Sequence, residues 1–119
     1  MRVLTAVLAL LLSLPLGADE ISLQRAVAAL QAPGTLLIDV RSAEEFSAGA
    51  LPGANRIGHE QITTQIAALA ADKNTPIVLY CRSGRRSAIA KDSLAKLGYR
   101  NLIDAGGYDQ LKLALARHN

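Results

Sequence analysis

The sequence predicts an α/β domain, a small parallel sheet flanked by helices on both faces. Three observations carry this. First, the apolar runs "TLLIDV" (35–40), "IVLY" (77–80) and "NLIDA" (101–105) have the near-continuous hydrophobicity of strands buried on both sides. Second, stretches with helical spacing of apolar residues alternate with those runs. Third, 119 residues without an internal repeat or low-complexity stretch suit one domain with a modest core.

In "SLQRAVAAL", Leu23, Ala26, Val27 and Leu30 fall on one helix face, with Ser22 placed to cap the N-terminus and Pro33-Gly34 to end the helix. The strand at 35–40 follows. Ser42 with Glu45 three residues on has the form of a capping box opening a short helix. "GALPGANRI" reads as a loop entering a short strand. Ile62, Ile66, Leu69 and Ala70 mark another amphipathic helix, closed by "DKNTP". After the strand at 77–80, Ser87 to Leu97 is predicted helical, with Gly98 stopping it. The strand at 101–105 leads through Gly106-Gly107 into a last helix carrying Tyr108, Leu111 and Leu115 on one face.

The chain opens with Arg2, an apolar run from Val3 to Leu14, the breaker Pro15 and the small residues Gly17 and Ala18. This is the build of a secretory signal peptide, and the run is shorter than the roughly 20 residues of a bilayer span. The expected organisation is a signal peptide at 1–18 and one domain at 19–119, periplasmic or secreted, with no stable membrane association after cleavage. Removing Arg2 leaves 12 Lys and Arg against 10 Asp and Glu. That balance is too mild for a nucleic-acid partner, and no aromatic residues interleave with the basic ones. His59 and His118 stand alone, without metal-ligand spacing, and read as surface residues.

Cys81 is the only cysteine. It cannot form a disulfide within the chain, which leaves an inert core residue, a link between molecules or a working thiol. Its neighbours favour the last. Strand gives way to helix across "CRSGRRS", and Gly84 permits backbone angles that a side chain forbids. Unpaired amides at the helix start form a nest for an anion. Arg82, Arg85 and Arg86 add positive charge, so the thiolate is favoured and the pocket attracts small anions. In parallel sheets ligands bind beyond the carboxyl ends of strands. Asp39-Val40-Arg41, the Cys81 loop and Asp104 with Gly106-Gly107 all fall there.

"CRSGRRS" resembles the active-site loop of single-domain rhodaneses, and with the export signal the likeness is to their periplasmic phage-shock-protein E type. "LLIDVRSAEEFSAGALPGANRI" and "LGYRNLIDAGGYDQL" resemble the flanking segments of that family, so the likeness spans nearly all of 19–119. Two residues depart from the family pattern: Ala50 stands where a histidine is frequent, and Leu111 where a tryptophan is.

The resemblance implies a rhodanese-like fold and a thiosulfate sulfurtransferase. Cys81 is the expected nucleophile and persulfide carrier. Arg82, Ser83, Gly84, Arg85, Arg86 and Ser87 are expected to bind the donor, with Asp39, Arg41 and Glu45 in support. One arginine is alternatively a structural partner of Asp39 or Glu45, and Glu45 is placed to join Arg41. The expected partners are a small anionic donor such as thiosulfate and a thiol or cyanide acceptor, and the implied chemistry needs neither a metal nor an organic cofactor. The alternatives are a persulfide carrier that depends on a protein partner, and a cysteine-based oxyanion hydrolase of the phosphatase or arsenate reductase type. Such hydrolases place an arginine six positions after the cysteine. Here Ser87 stands there, and Arg86 comes one position early. Export makes the first testable expectation: mass spectrometry of protein from its native host finds a chain beginning at or near Asp19.

Overall fold

The computed structural model describes residues 17–119, so all but the last two residues of the expected leader lie outside the described part. The elements alternate as α1 (Ala18–Leu30), β1 (Leu36–Asp39), α2 (Ala43–Ala48), β2 (Asn55–Arg56), α3 (Ile62–Leu69), β3 (Ile77–Cys81), α4 (Arg85–Lys96), β4 (Leu102–Gly107) and α5 (Tyr108–His118). The four strands form one sheet in the order β2-β1-β3-β4, and every pairing is parallel. No helix among the described residues is long and apolar enough to cross a membrane.

The apolar runs lie where strands were expected because side chains must alternate between two covered faces. Leu37, Val78 and Tyr80 pack on one face with Ala26 and Val27 of α1 and Leu111 of α5. Ile38, Val40, Ile77, Leu79 and Cys81 pack on the other with Ile62 and Ile66 of α3 and Ala90 and Leu94 of α4. All five residues of β3 are buried. Each large side chain buried in this way contributes about 1.5–3 kcal/mol. Leu111 is fully buried, so the residue that stands in place of the family's tryptophan fills a core position.

Several local expectations are corrected. The first helix starts at Ala18 behind Gly17, with no side-chain cap, and Ser22 lies inside it. Leu69 is exposed, because only Ile62, Ile66 and Ala70 turn inward. The fourth helix begins at Arg85, two residues early, so Arg85 and Arg86 belong to its first turn. The last strand continues through the double glycine to Gly107 instead of ending at Ala105. His59 is half-buried rather than a surface residue.

Beyond β1, the pair expected to brace the strand end is buried. Arg41 is 5% exposed and Asp39 0%. Arg41 Nε and Nη2 donate to the Asp39 carboxylate at 2.7–3.0 Å, and Nη2 also donates to the Gly49 carbonyl at 2.7 Å. The guanidinium lies 4.5 Å from the centroid of the Tyr108 ring. Removing one partner strands the other charge away from water. Asp39→Ala is therefore expected to lower the urea unfolding free energy by about 3–5 kcal/mol without removing Cys81 or its loop.

Candidate active site

The site forms where β3 ends and α4 begins. A buried strand delivers Cys81 to the carboxyl edge of the sheet with no exposed surface. The chain then turns back within Arg82, Ser83 and Gly84. Gly84 has φ of 102°, in the left-handed region that a side chain disfavours, and it serves as the N-cap of α4. This turn aims the Gly84 amide at Cys81 Sγ, 2.9 Å away. Ser87, one turn into α4 and fully buried, places Oγ 3.4 Å from the sulfur. Burial pushes the Cys81 thiol pKa up, but hydrogen bonding, that from the amides of Ser87, Gly84 and Ser83 included, pulls it down, and the net shift is downward. The sulfur therefore ionises more readily than an ordinary thiol, as a nucleophile requires.

The double glycine braces this loop from β4. Cys81 pairs with Gly107 across the sheet, and a bulge at the Leu79–Tyr80 step places Asp104 opposite Leu79 and Gly106 opposite Tyr80. A Cβ on Gly107 would lie 2.8 Å from the Arg82 carbonyl oxygen. The Gly106 Cα lies 3.6 Å from where a Gly84 Cβ would be. Bulges of this kind re-aim side chains beside functional sites.

The three arginines divide by role. Arg86 donates from Nη1 and Nη2 to Glu45 Oε1 and Oε2 at 2.7 and 3.0 Å. Glu45 also accepts from the Ser42 amide at 3.0 Å, completing the capping box of α2. The Arg86 contact, followed by Ser42, holds the Glu45 carboxyl down at about 2. Glu45 thus joins Arg86 across the site, and Arg41, its expected partner, is taken by Asp39. Arg82 and Arg85 are exposed and make no ion pair among the described residues. Ser83 is also exposed, so the loop presents Arg82, Ser83 and Arg85 to solvent above a closed sulfur.

Two cavities flank the loop. One of about 220 Å³ is lined by Arg41, Glu45, Arg82, Tyr108 and Asp109. The other, about 550 Å³, is bounded by Ser83, Gly84, Lys91, Asp104 and Gln110, with Asp19 and Glu20 of α1 across from them. Asp104 is the residue whose role the sequence does not reveal. Its Oδ1 accepts from Ser87 Oγ at 2.7 Å and from the Gly106 amide at 2.9 Å. Among the described residues no group of His, Cys, Asp and Glu is arranged to hold a metal.

Residues 22–114 match the rhodanese-like domain family. The chain belongs to that family. It is 34% identical to the thiosulfate sulfurtransferase PspE of Escherichia coli over 76 residues, 64% of this chain and 73% of that protein. It is 32% identical to the thiosulfate sulfurtransferase GlpE of Tolumonas auensis over 91 residues, 74% of this chain and 81% of that one. Among solved structures, an Escherichia coli rhodanese with anions superposes with a TM-score of 0.62 at 34% identity, covering 64% of this chain and 89% of its own. A human single-domain sulfurtransferase, TSTD1, superposes with a TM-score of 0.66 at 29% identity, covering 82% and 97%.

The Gly107–Arg82 approach tests whether the double glycine sets the cradle. Gly107→Ala is expected to retain the fold at a cost of about 1–3 kcal/mol, because the loop must shift to admit a methyl group. The displaced amides then hold the thiolate less well. Alkylation of Cys81 by iodoacetamide at neutral pH should slow, while urea denaturation reports a folded protein.

Proposed function

We propose that this chain is a thiosulfate sulfurtransferase that moves a sulfane sulfur from a small anionic donor to a thiophilic acceptor through a persulfide on Cys81. The observation that carries the reading is the cradle of backbone amides around a buried sulfur whose pKa is lowered, with the Gly84 amide 2.9 Å from Sγ. The Cys81 thiolate attacks the outer sulfur of thiosulfate. A new S–S bond forms to Cys81, the old S–S bond breaks, and its electron pair leaves with sulfite. The persulfide anion that remains keeps its charge near the amides of Ser83, Gly84 and Ser87. Cyanide or a thiolate then attacks the outer sulfur and releases Cys81 as the thiolate. Each step moves an electron pair from nucleophile to leaving group, so no separate base is required once Cys81 is ionised.

Arg82 and Arg85 are the proposed contacts for the donor's sulfonate, because both are exposed at the rim and neither has an acidic partner among the described residues. Ser83 and Gly84 supply backbone donors, and Ser87 lines the base of the cradle. Arg86 is proposed to brace the loop through Glu45, while its charge still favours the thiolate. Asp39 and Arg41 are proposed to fix the neighbouring strand end. Export to the periplasm or exterior rests on the Arg2–Ala18 segment.

The intermediate is directly measurable. Reduced protein mixed with thiosulfate should gain the mass of one sulfur atom on the peptide containing Cys81, and cyanide should remove it as thiocyanate. Arg82→Ala should load at a roughly tenfold higher thiosulfate concentration, the loss of about one charge-assisted contact. Cys81→Ser should gain no sulfur. Sulfur on the serine variant, or none on the wild type, overturns the reading. A loaded sulfur that cyanide and small thiols leave in place indicates a carrier that discharges to a protein partner.

A further inference from the structure

Ser87 Oγ has one proton and three acceptors within reach. Asp104 Oδ1 is 2.7 Å away, the Gly84 carbonyl 3.1 Å and Cys81 Sγ 3.4 Å. A hydroxyl donates to one acceptor at a time, and a charged acceptor at the shortest distance prevails. Asp104 is fixed in that place independently, because the same Oδ1 accepts the Gly106 amide at the bulge of β4. Its side chain reaches Ser87 on the α4 face of the sheet and also lines the 550 Å³ cavity.

We infer that Asp104 is a positioning residue for the sulfur nucleophile: through Ser87 it keeps the hydroxyl proton turned away from Cys81 Sγ. This rests on Cys81 being the nucleophile, and it adds a control on how strongly the cradle holds the sulfur. With the proton on the Asp104 side, the thiolate is held by backbone amides alone and remains the more reactive for it. A thiolate held by one further charge-assisted bond is more populated at a given pH but a weaker nucleophile. No proton is gained or lost in this arrangement; the hydroxyl only rotates about its C–O bond.

The charged groups around the pair are few. Lys91 of α4 and Asp19 and Glu20 of α1 share the cavity with Asp104, and α5 contributes only the neutral Gln110. Arg86 of α4 adds positive charge near the sulfur and is paired with Glu45 of α2. Arg82 and Arg85 stand at the rim. None of these accepts from Ser87, so the coupling runs through one hydroxyl.

The test is titration of the Cys81 thiolate by its ultraviolet absorbance, with Cys81→Ser subtracted to remove the tyrosines. Asp104→Asn retains an oxygen for the Gly106 amide but removes the charge that competes with sulfur. At a pH below the wild-type midpoint, its thiolate fraction should rise roughly tenfold, while the alkylation rate per thiolate falls. In a Ser87→Ala background the same substitution should change the thiolate fraction by about twofold or less, since only a screened through-space charge is left. Ser87→Ala alone gives an independent reading. If its hydroxyl already faces Asp104, its loss leaves the wild-type thiolate fraction within about twofold. A tenfold fall in Ser87→Ala, or an equal effect of Asp104→Asn with and without the hydroxyl, overturns the inference. Persulfide loading by mass is read separately, so failure of the sulfurtransferase reading is not confused with failure of this one.

Discussion

Keeping the Cys81 sulfur out of water while lowering its pKa is the constraint on which the rest of this structure depends. An anion without exposed surface is costly unless donors replace its hydration. The Gly84 amide at 2.9 Å is such a donor, and it can reach the sulfur only because Gly84 adopts a left-handed backbone. That conformation has to be held from outside the loop. On one side β4 passes so close that Gly107 leaves no room for a Cβ. On the other, the Glu45–Arg86 pair ties the cap of α2 to the first turn of α4.

The same logic explains why two ion pairs near one site differ in character. The Asp39–Arg41 pair is closed in by Tyr80 and Tyr108 and acts as part of the core. The Glu45–Arg86 pair keeps about a quarter of each side chain exposed, 26% for both, so solvent screens it. Its contribution is geometric: two parallel N–H···O bonds fix the direction of the guanidinium. Arg82 and Arg85 have no such partner among the described residues and remain available to an incoming anion.

Much of this was legible in the sequence. Continuous apolar runs marked the strands, because a parallel sheet buries both faces of each. The capping box at Ser42 and Glu45 and the loop from Cys81 to Ser87 were legible because their chemistry is local. What failed to show has a common cause. The helix start at Ala18 carries no side-chain cap, so residue type gave no sign of it. The sequence offered Glu45 both Arg41, four positions away, and one of the loop arginines; that it meets Arg86 across 41 positions is decided by the fold, which spacing along a helix cannot reveal. Asp104 reads as the polar end of a strand. Only the bulge opposite Leu79 and Tyr80 shows that it faces Ser87 and not solvent alone.

The enclosure of Cys81 also sets what the thiol can meet. A disulfide between two copies would need their sulfurs about 2.05 Å apart. In each copy Arg82 and Ser83 stand above the sulfur, and two facing loops would bring like charges of Arg82 and Arg85 together first. The lone thiol, without exposed surface and behind a loop of like charge, is thereby shielded from forming a disulfide with a second copy.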